Sequence, residues 1–165
     1  DPYEATIGLL RRSHGNVGML GYAMSEENLE RILAHPYGMV CSDGGGFAID
    51  GPTRRGSPHP RGAGTFPRIL ARYVRERKTL TLPQAIRKMT SLPASRIHLR
   101  DRGRIAFGMA ADIVVFDPAT VSDNATFEAP FQYPTGIPVV VVNGVVALRD
   151  GQRSKVGSGR AVRPS

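Results

Sequence analysis

Apolar positions recur at helical spacing through much of the first hundred residues and give way to β-branched runs afterwards. Ser25-Glu26-Glu27 reads as a helix start: the serine can cap, and the two carboxylates sit at the positive end of the helix dipole. Leu29, Ile32 and Leu33 give that helix one apolar face, and Pro36 ends it. Gly38-Met39-Val40-Cys41 predicts a short buried strand that stops at Ser42-Asp43-Gly44-Gly45-Gly46. From there to Thr65 the chain is rich in Gly and Pro and has little period, which predicts a long loop at the C-terminal end of a strand, of the kind that is functional or disordered. Helix resumes near Phe66, with Ile69, Leu70, Tyr73 and Val74 on the same face. Thr81-Leu82-Pro83-Gln84 is a capping box opening a helix through Ala85, Ile86 and Met89, and Pro93 opens a further turn of helix through Ile97. Residues 1–24 read only as mixed and Gly-rich, with the basic pair Arg11-Arg12.

After Arg102 the period changes. Gly103-Arg104-Ile105, Ile113 to Phe116, Val139 to Val142 and Val145 to Leu148 read as strands. Asn143-Gly144 between the last two is a strong hairpin signal. From Gly151 the chain is polar and Gly-rich, and no internal repeat is visible. The expected organisation is the end of an α/β unit over residues 1–100, a small β module over 101–150, and a polar tail over 151–165.

Composition narrows the function classes. Hydrophobic residues make up 41% of the 165, enough for a core and too many for a disordered chain. The formal charge of +8 raises nucleic acid or an acidic membrane as partners. The cations between Arg68 and Arg104, however, are spread along helices among apolar positions, with no aromatic-basic stacking pattern. Neither partner is expected. No apolar run is long enough to span a bilayer. A single cysteine, Cys41, leaves no intrachain disulfide framework and fits a reducing compartment, so the expected location is cytoplasmic. The chain opens at Asp1 without an initiator Met, and sequence upstream is expected.

Two places carry candidate chemistry. Asp43 follows an apolar run and precedes three glycines, the position at which α/β enzymes keep catalytic carboxylates; the alternative is a turn-former in an Asp-Gly turn. In Ser57-Pro58-His59-Pro60-Arg61 two prolines stiffen the backbone around a His and an Arg. Arg61 suits a bidentate clamp on a carboxylate, and His59 suits an oxyanion donor or a water-orienting group; the alternative is an exposed loop. Of the other histidines, His35 reads as the end of a helix, His98 as structural within a helical stretch, and His14 as a weaker candidate near the site. Cys41 reads as core. Metal-ligand spacings such as His-x-His or His-Glu-x-x-His are absent from the sequence, as are a nucleophile elbow and a phosphate loop.

Several segments together resemble the N-acyl-D-amino-acid deacylase (D-aminoacylase) family of amidohydrolases. They are Ser42-Asp43-Gly44, His59-Pro60-Arg61, Gly64-Thr65-Phe66-Pro67-Arg68, Tyr73-Val74-Arg75-Glu76, Ala85 to Ala94 and Asp101 to Ile105. Gly108-Met109-Ala110-Ala111-Asp112 through Asp117 is similar to a segment found widely across the amidohydrolase superfamily; Gly136-Ile137 and Val142-Asn143-Gly144 complete the match. The resemblance runs from about the Ser25 helix onward, and the loop between Asp43 and His59 is longer than in well-known members.

The resemblance implies the C-terminal part of a (β/α)8 barrel of the TIM type, followed by strands of a small β-sandwich. It implies zinc, held mainly by a Cys and His residues on strands outside this chain, with Asp43 as a weak ligand at most. Asp43 would activate the metal-bound water and return its proton to the leaving amine; Arg61 would grip the substrate carboxylate, with His59 beside it. The expected reaction is hydrolysis of N-acyl-D-amino acids to a carboxylate and a free D-amino acid, and the chain alone, lacking the N-terminal part of the barrel, should be inactive. The chemistry is consistent with that expectation: an amide needs an activated water, a polarised carbonyl and a proton for nitrogen, and a metal lowers the pKa of water from about 15.7 to about 7. A cyclic amidase of the dihydroorotase or hydantoinase type and a non-catalytic partner-binding module stay open as alternatives.

Overall fold

The computed structural model describes residues 1–18, 21 and 23–163. Five α-helices precede a four-stranded antiparallel sheet: α1 Pro2–Arg12, α2 Glu26–Ala34, α3 Arg61–Arg68, α4 Leu82–Met89, α5 Ser91–Arg96, then β1 Ile113–Val115, β2 Val139–Val142, β3 Val145–Arg149 and β4 Gln152–Arg153. Beyond Arg68 the α3 helix continues as a wider π-helix, Ile69–Glu76. The sheet order follows the chain order, β1-β2-β3-β4.

Local chemistry accounts for most of these elements. The Ser25 side chain accepts from Asn28 N–H and caps α2, and His35 ends it. Thr81 and Gln84 form the complete capping box of α4. Asn143 and Gly144, with φ of 48° and 82°, make the tight turn of the β2–β3 hairpin, which requires left-handed backbone at both positions. That turn is also tied down from outside. Asp112 accepts from Asn143 N–H at 2.7 Å, and Arg102 donates to Asn143 Oδ1 at 2.7 Å while pairing with Asp112.

The core lies between α2, the π-helix and α4. Leu33, Ile69, Leu70, Tyr73, Leu80 and Ala85 pack together with Val121, and Val40, Phe116 and Ile137 lean on them. Tyr73 buries its ring and donates its hydroxyl to Glu26 at 3.0 Å, and Arg72 reaches the same carboxylate oxygen at 2.9 Å. The aromatic body and the polar tip are thus both satisfied.

Several expectations change. Residues 38–41 form no strand: they run as irregular chain, fixed by Val40 N–H donating to Lys88 O at 3.2 Å. A strand needs a neighbouring strand, and among the described residues none lies beside this segment. Cys41 is accordingly exposed, not core. Gly103 to Ile105 is also irregular. The helix expected from Phe66 starts five residues earlier, at Arg61, and tolerates Pro67 inside it. His98 lies past the end of α5 in a left-handed turn, with φ 57°. Residues 2–12 form α1, capped by Asp1 accepting from Tyr3 N–H at 2.9 Å with Pro2 in the first turn. The segment read as tail carries β4, paired with β3; Pro164 and Ser165 lie outside the described residues. No helix among the described residues is long and apolar enough to cross a membrane.

Candidate active site

The chain between α2 and α3 is anchored at its start by a buried cation. Lys88, 4% exposed, donates from Nζ to His35 O at 2.5 Å and Gly38 O at 3.0 Å. Burial, and then the neighbouring Arg87, lower its pKa from the usual lysine value. These bonds fix the end of α2 and the start of the segment that leads to Asp43.

Asp43 itself sits in left-handed backbone, φ 45°, an uncommon state that Asp tolerates better than most residues. Its backbone then runs against the first turn of α3. A Cβ on Gly44 would lie 2.5 Å from Gly62 Cα, and a Cβ on Gly62 would lie 2.5 Å from the Phe47 ring. Glycine at 62 leaves room for the Phe47 ring, and glycine at 44 lets its backbone touch that of Gly62. This contact brings Asp43 within reach of Arg61, eighteen residues later in the chain.

Two bonds join them. Arg61 Nη2 pairs with Asp43 Oδ2 at 2.6 Å, and Arg61 Nε donates to Asp43 O at 2.9 Å. The side chains are 44% and 81% exposed, so both groups stay open to an incoming molecule. His59 lies two residues before Arg61, just ahead of α3. Its ring meets Phe127 edge-on at 4.8 Å, and its Nδ1 accepts the Arg61 backbone N–H at 3.0 Å. Partial burial and the Arg61 charge lower its pKa, against the opposing pull of Asp43. Next to these residues opens a cavity of about 360 Å³, lined by His59, Arg61, Thr65, Arg68, Asp123 and Phe127 among others. Arg68 pairs with Asp123 at 3.2 Å across it.

The structure therefore brings together Asp43, His59 and Arg61, the three residues singled out in the sequence. His14 falls instead in the turn after α1, with φ 52°. Sequence reasoning missed Asp123 and Phe127, which reach the cavity from the irregular stretch between β1 and β2, where no period or motif marks them. It also missed Lys88, whose only sequence signal was a cation on the apolar side of α4.

Among the described residues no three His, Cys, Asp or Glu side chains converge on a point where they could hold a metal ion. Asp43 offers one carboxylate. The Cys41 sulfur beside it accepts the Asp43 N–H at 3.4 Å. The chain's own donors therefore fit a zinc ion only as one contributor to a larger set.

Comparison with known proteins identifies the family. A sequence profile of the amidohydrolase family matches residues 46–148. The chain belongs to that family, within its D-aminoacylase group. It is 48% identical over 127 residues to an N-acyl-D-glutamate deacylase of Alcaligenes xylosoxydans, an alignment covering 77% of this chain and 25% of that enzyme. It is 41% identical over 145 residues to a D-aminoacylase of the same organism, covering 88% and 28%. Among solved structures, a D-aminoacylase matches with a TM-score of 0.77 at 41% identity, over 85% of this chain and 28% of that one. An N-acyl-D-glutamate deacylase of Bordetella bronchiseptica, solved with zinc and a phosphonate mimic of the tetrahedral intermediate, matches with a TM-score of 0.69 at 42% identity, over 84% and 28%. The chain spans about a quarter of the length of its curated relatives.

Proposed function

We propose that this chain is the C-terminal portion of a zinc-dependent deacylase that hydrolyses N-acyl-D-amino acids to a carboxylate and a free D-amino acid. The observation that carries this reading is the Asp43–Arg61 pair: an exposed carboxylate at 2.6 Å from an exposed guanidinium, fixed by a glycine–glycine backbone contact beside an open cavity. The relatives named above are deacylases and an aminoacylase, which supports a linear amide substrate over a cyclic one and an enzyme over a binding module. In this reading residues 1–100 are the C-terminal part of a (β/α)8 barrel, residues 101–150 contribute sandwich strands, and β4 with the polar residues after it closes the chain.

Zinc, where bound, supplies a nucleophilic water and polarises the scissile carbonyl; Asp43 is the one donor this chain would add to it. The remaining work falls to side chains in hand. Arg61 has the planar fork that holds an α-carboxylate by two parallel bonds. Its bond to Asp43 is solvent-exposed and so weakly held. A substrate carboxylate can displace it without a large cost. Once displaced, Arg61 selects substrates with a free α-carboxylate, and the Asp43 oxygens are free to take a proton from the attacking water and hand it to the departing nitrogen.

The test is kinetic. In the full-length enzyme, Arg61→Ala should raise KM for an N-acetyl-D-amino acid by about tenfold or more, and change KM for its α-methyl ester by about twofold or less. Equal losses on acid and ester would remove the clamp.

A further inference from the structure

Helix α3 begins without the usual cap. Pro60 occupies the N-cap position, has no side-chain donor or acceptor, and leaves the first helical N–H groups to find partners elsewhere. All but the first find backbone carbonyls. Ala63 N–H and Gly64 N–H reach Pro60 O at 3.2 and 2.9 Å, and Gly62 N–H reaches His59 O at 3.2 Å. The first N–H, that of Arg61, is taken by a side chain: His59 Nδ1, at 3.0 Å. At the other end of the same residue, Arg61 O accepts from Thr65 Oγ1 at 2.8 Å. The imidazole in turn meets the Phe127 ring edge-on, and the prolines on both sides of His59 restrict its backbone.

We propose that His59 is a positioning residue for Arg61. Wedged against Phe127, it accepts the Arg61 backbone N–H through Nδ1 and so fixes the point from which the guanidinium reaches a substrate α-carboxylate. This deepens the reading above and rests on it. His59 then acts through Arg61 rather than on the oxyanion. Only one of the two ring nitrogens matters, because the acceptor is Nδ1, and a nitrogen that accepts there carries no proton.

That asymmetry gives a discriminating pair of variants. The Oδ1 of an Asn stands where Nδ1 stands in His, one atom beyond Cγ, whereas the end of a Gln side chain stands near Nε2 and leaves the Arg61 N–H without its partner. The full-length enzyme would be assayed on the fastest of N-acetyl-D-methionine, N-acetyl-D-aspartate and N-acetyl-D-glutamate, and on the α-methyl ester of the same compound. His59→Gln should lower the acid-to-ester ratio of kcat/KM about tenfold, through KM for the acid, and His59→Asn should return the ratio to within about threefold of the parent. Should His59→Gln fail to fold, Phe127→Leu, which frees the ring without removing Nδ1, should lower the same ratio by a smaller factor. A helix cap with no other role predicts lower thermal stability with an unchanged ratio, and that result would overturn the proposal. So would equal impairment in Asn and Gln, or equal loss on acid and ester. Arg61→Ala separates the two levels. If it collapses the ratio while the His59 variants do not, the positioning role fails and the clamp stands. If it leaves the ratio intact, the clamp fails and takes this inference with it.

Discussion

Asp43 combines two demands that most side chains meet poorly, left-handed backbone and an acceptor aimed at Arg61. Asn meets both: it tolerates φ above zero and keeps a side-chain oxygen, yet it cannot take a proton at working pH. Asp43→Asn is therefore the cleanest removal of the proposed base, whereas Asp43→Ala adds backbone strain to the loss. In the full-length enzyme Asp43→Asn should lower kcat by about a thousandfold with an unchanged melting temperature. Turnover within about tenfold of the parent would take Asp43 out of the chemistry. At this scale the sequence was informative where punctuation is dense. The three glycines after Asp43 and the two prolines around His59 marked both places. The cavity's other wall was not legible, since Asp123 and Phe127 arrive from some sixty residues downstream through a stretch with no periodicity, and only folding brings them to His59 and Arg68.

The helices were legible where their ends carry chemistry of their own. Ser25 and the Thr81–Gln84 box cap α2 and α4 as their residue types require, and Asn143-Gly144 turns where a primed turn must. Capping is local, so the sequence contains it. Pairing is not, and the apolar run at 38–41 shows the difference: its composition suits a strand, but a ladder needs a partner that composition cannot report. Helix α1 was missed for the opposite reason, because none of its residues is buried and its apolar spacing faces no core, although Asp1-Pro2 with Glu4 marks its start. What holds α2 to the π-helix is electrostatic as well as apolar. Glu26 accepts from Arg72 and from Tyr73, and its pKa lies below the ordinary 4.5, through the Arg72 hydrogen bond first, against a smaller opposing effect of burial. A carboxyl with a depressed folded-state pKa contributes stability above its unfolded value and loses it as pH falls through the folded one. Glu26→Gln should therefore lower the melting temperature of the full-length protein at pH 7, and the difference from the parent should shrink as pH drops below 4.5. A difference that stays constant down to pH 3 would show that the ion pair contributes nothing. Its size should be modest, since both side chains are more than a third exposed by area and solvent screens them.

As a whole, the chain adds on the proposed reading one carboxylate, Asp43, to a zinc site, and it carries a large amount of uncovered apolar surface. Phe107 is fully exposed, Ile105 nearly so, and Met39, Val114, Val115 and Val146 are also open on the segment before Asp43 and on the sheet. Single exposed apolar residues are ordinary, but side chains of this size and number suit contact with further protein. Metal affinity follows the same division. A zinc ion takes four donors, and a lone exposed carboxylate in water holds it weakly, because its hydration competes with one ligand. Residues 1–165 prepared alone should thus bind a hydrophobic dye, turn over no N-acetyl-D-amino acid, and take up much less than one equivalent of zinc in equilibrium dialysis. The full-length protein should hold zinc at or above one equivalent and lose activity on chelation, with activity returning on adding the metal back. One tightly bound zinc on the isolated segment would mean that its own side chains assemble a site, and the division of labour between Asp43 and donors elsewhere would have to be abandoned.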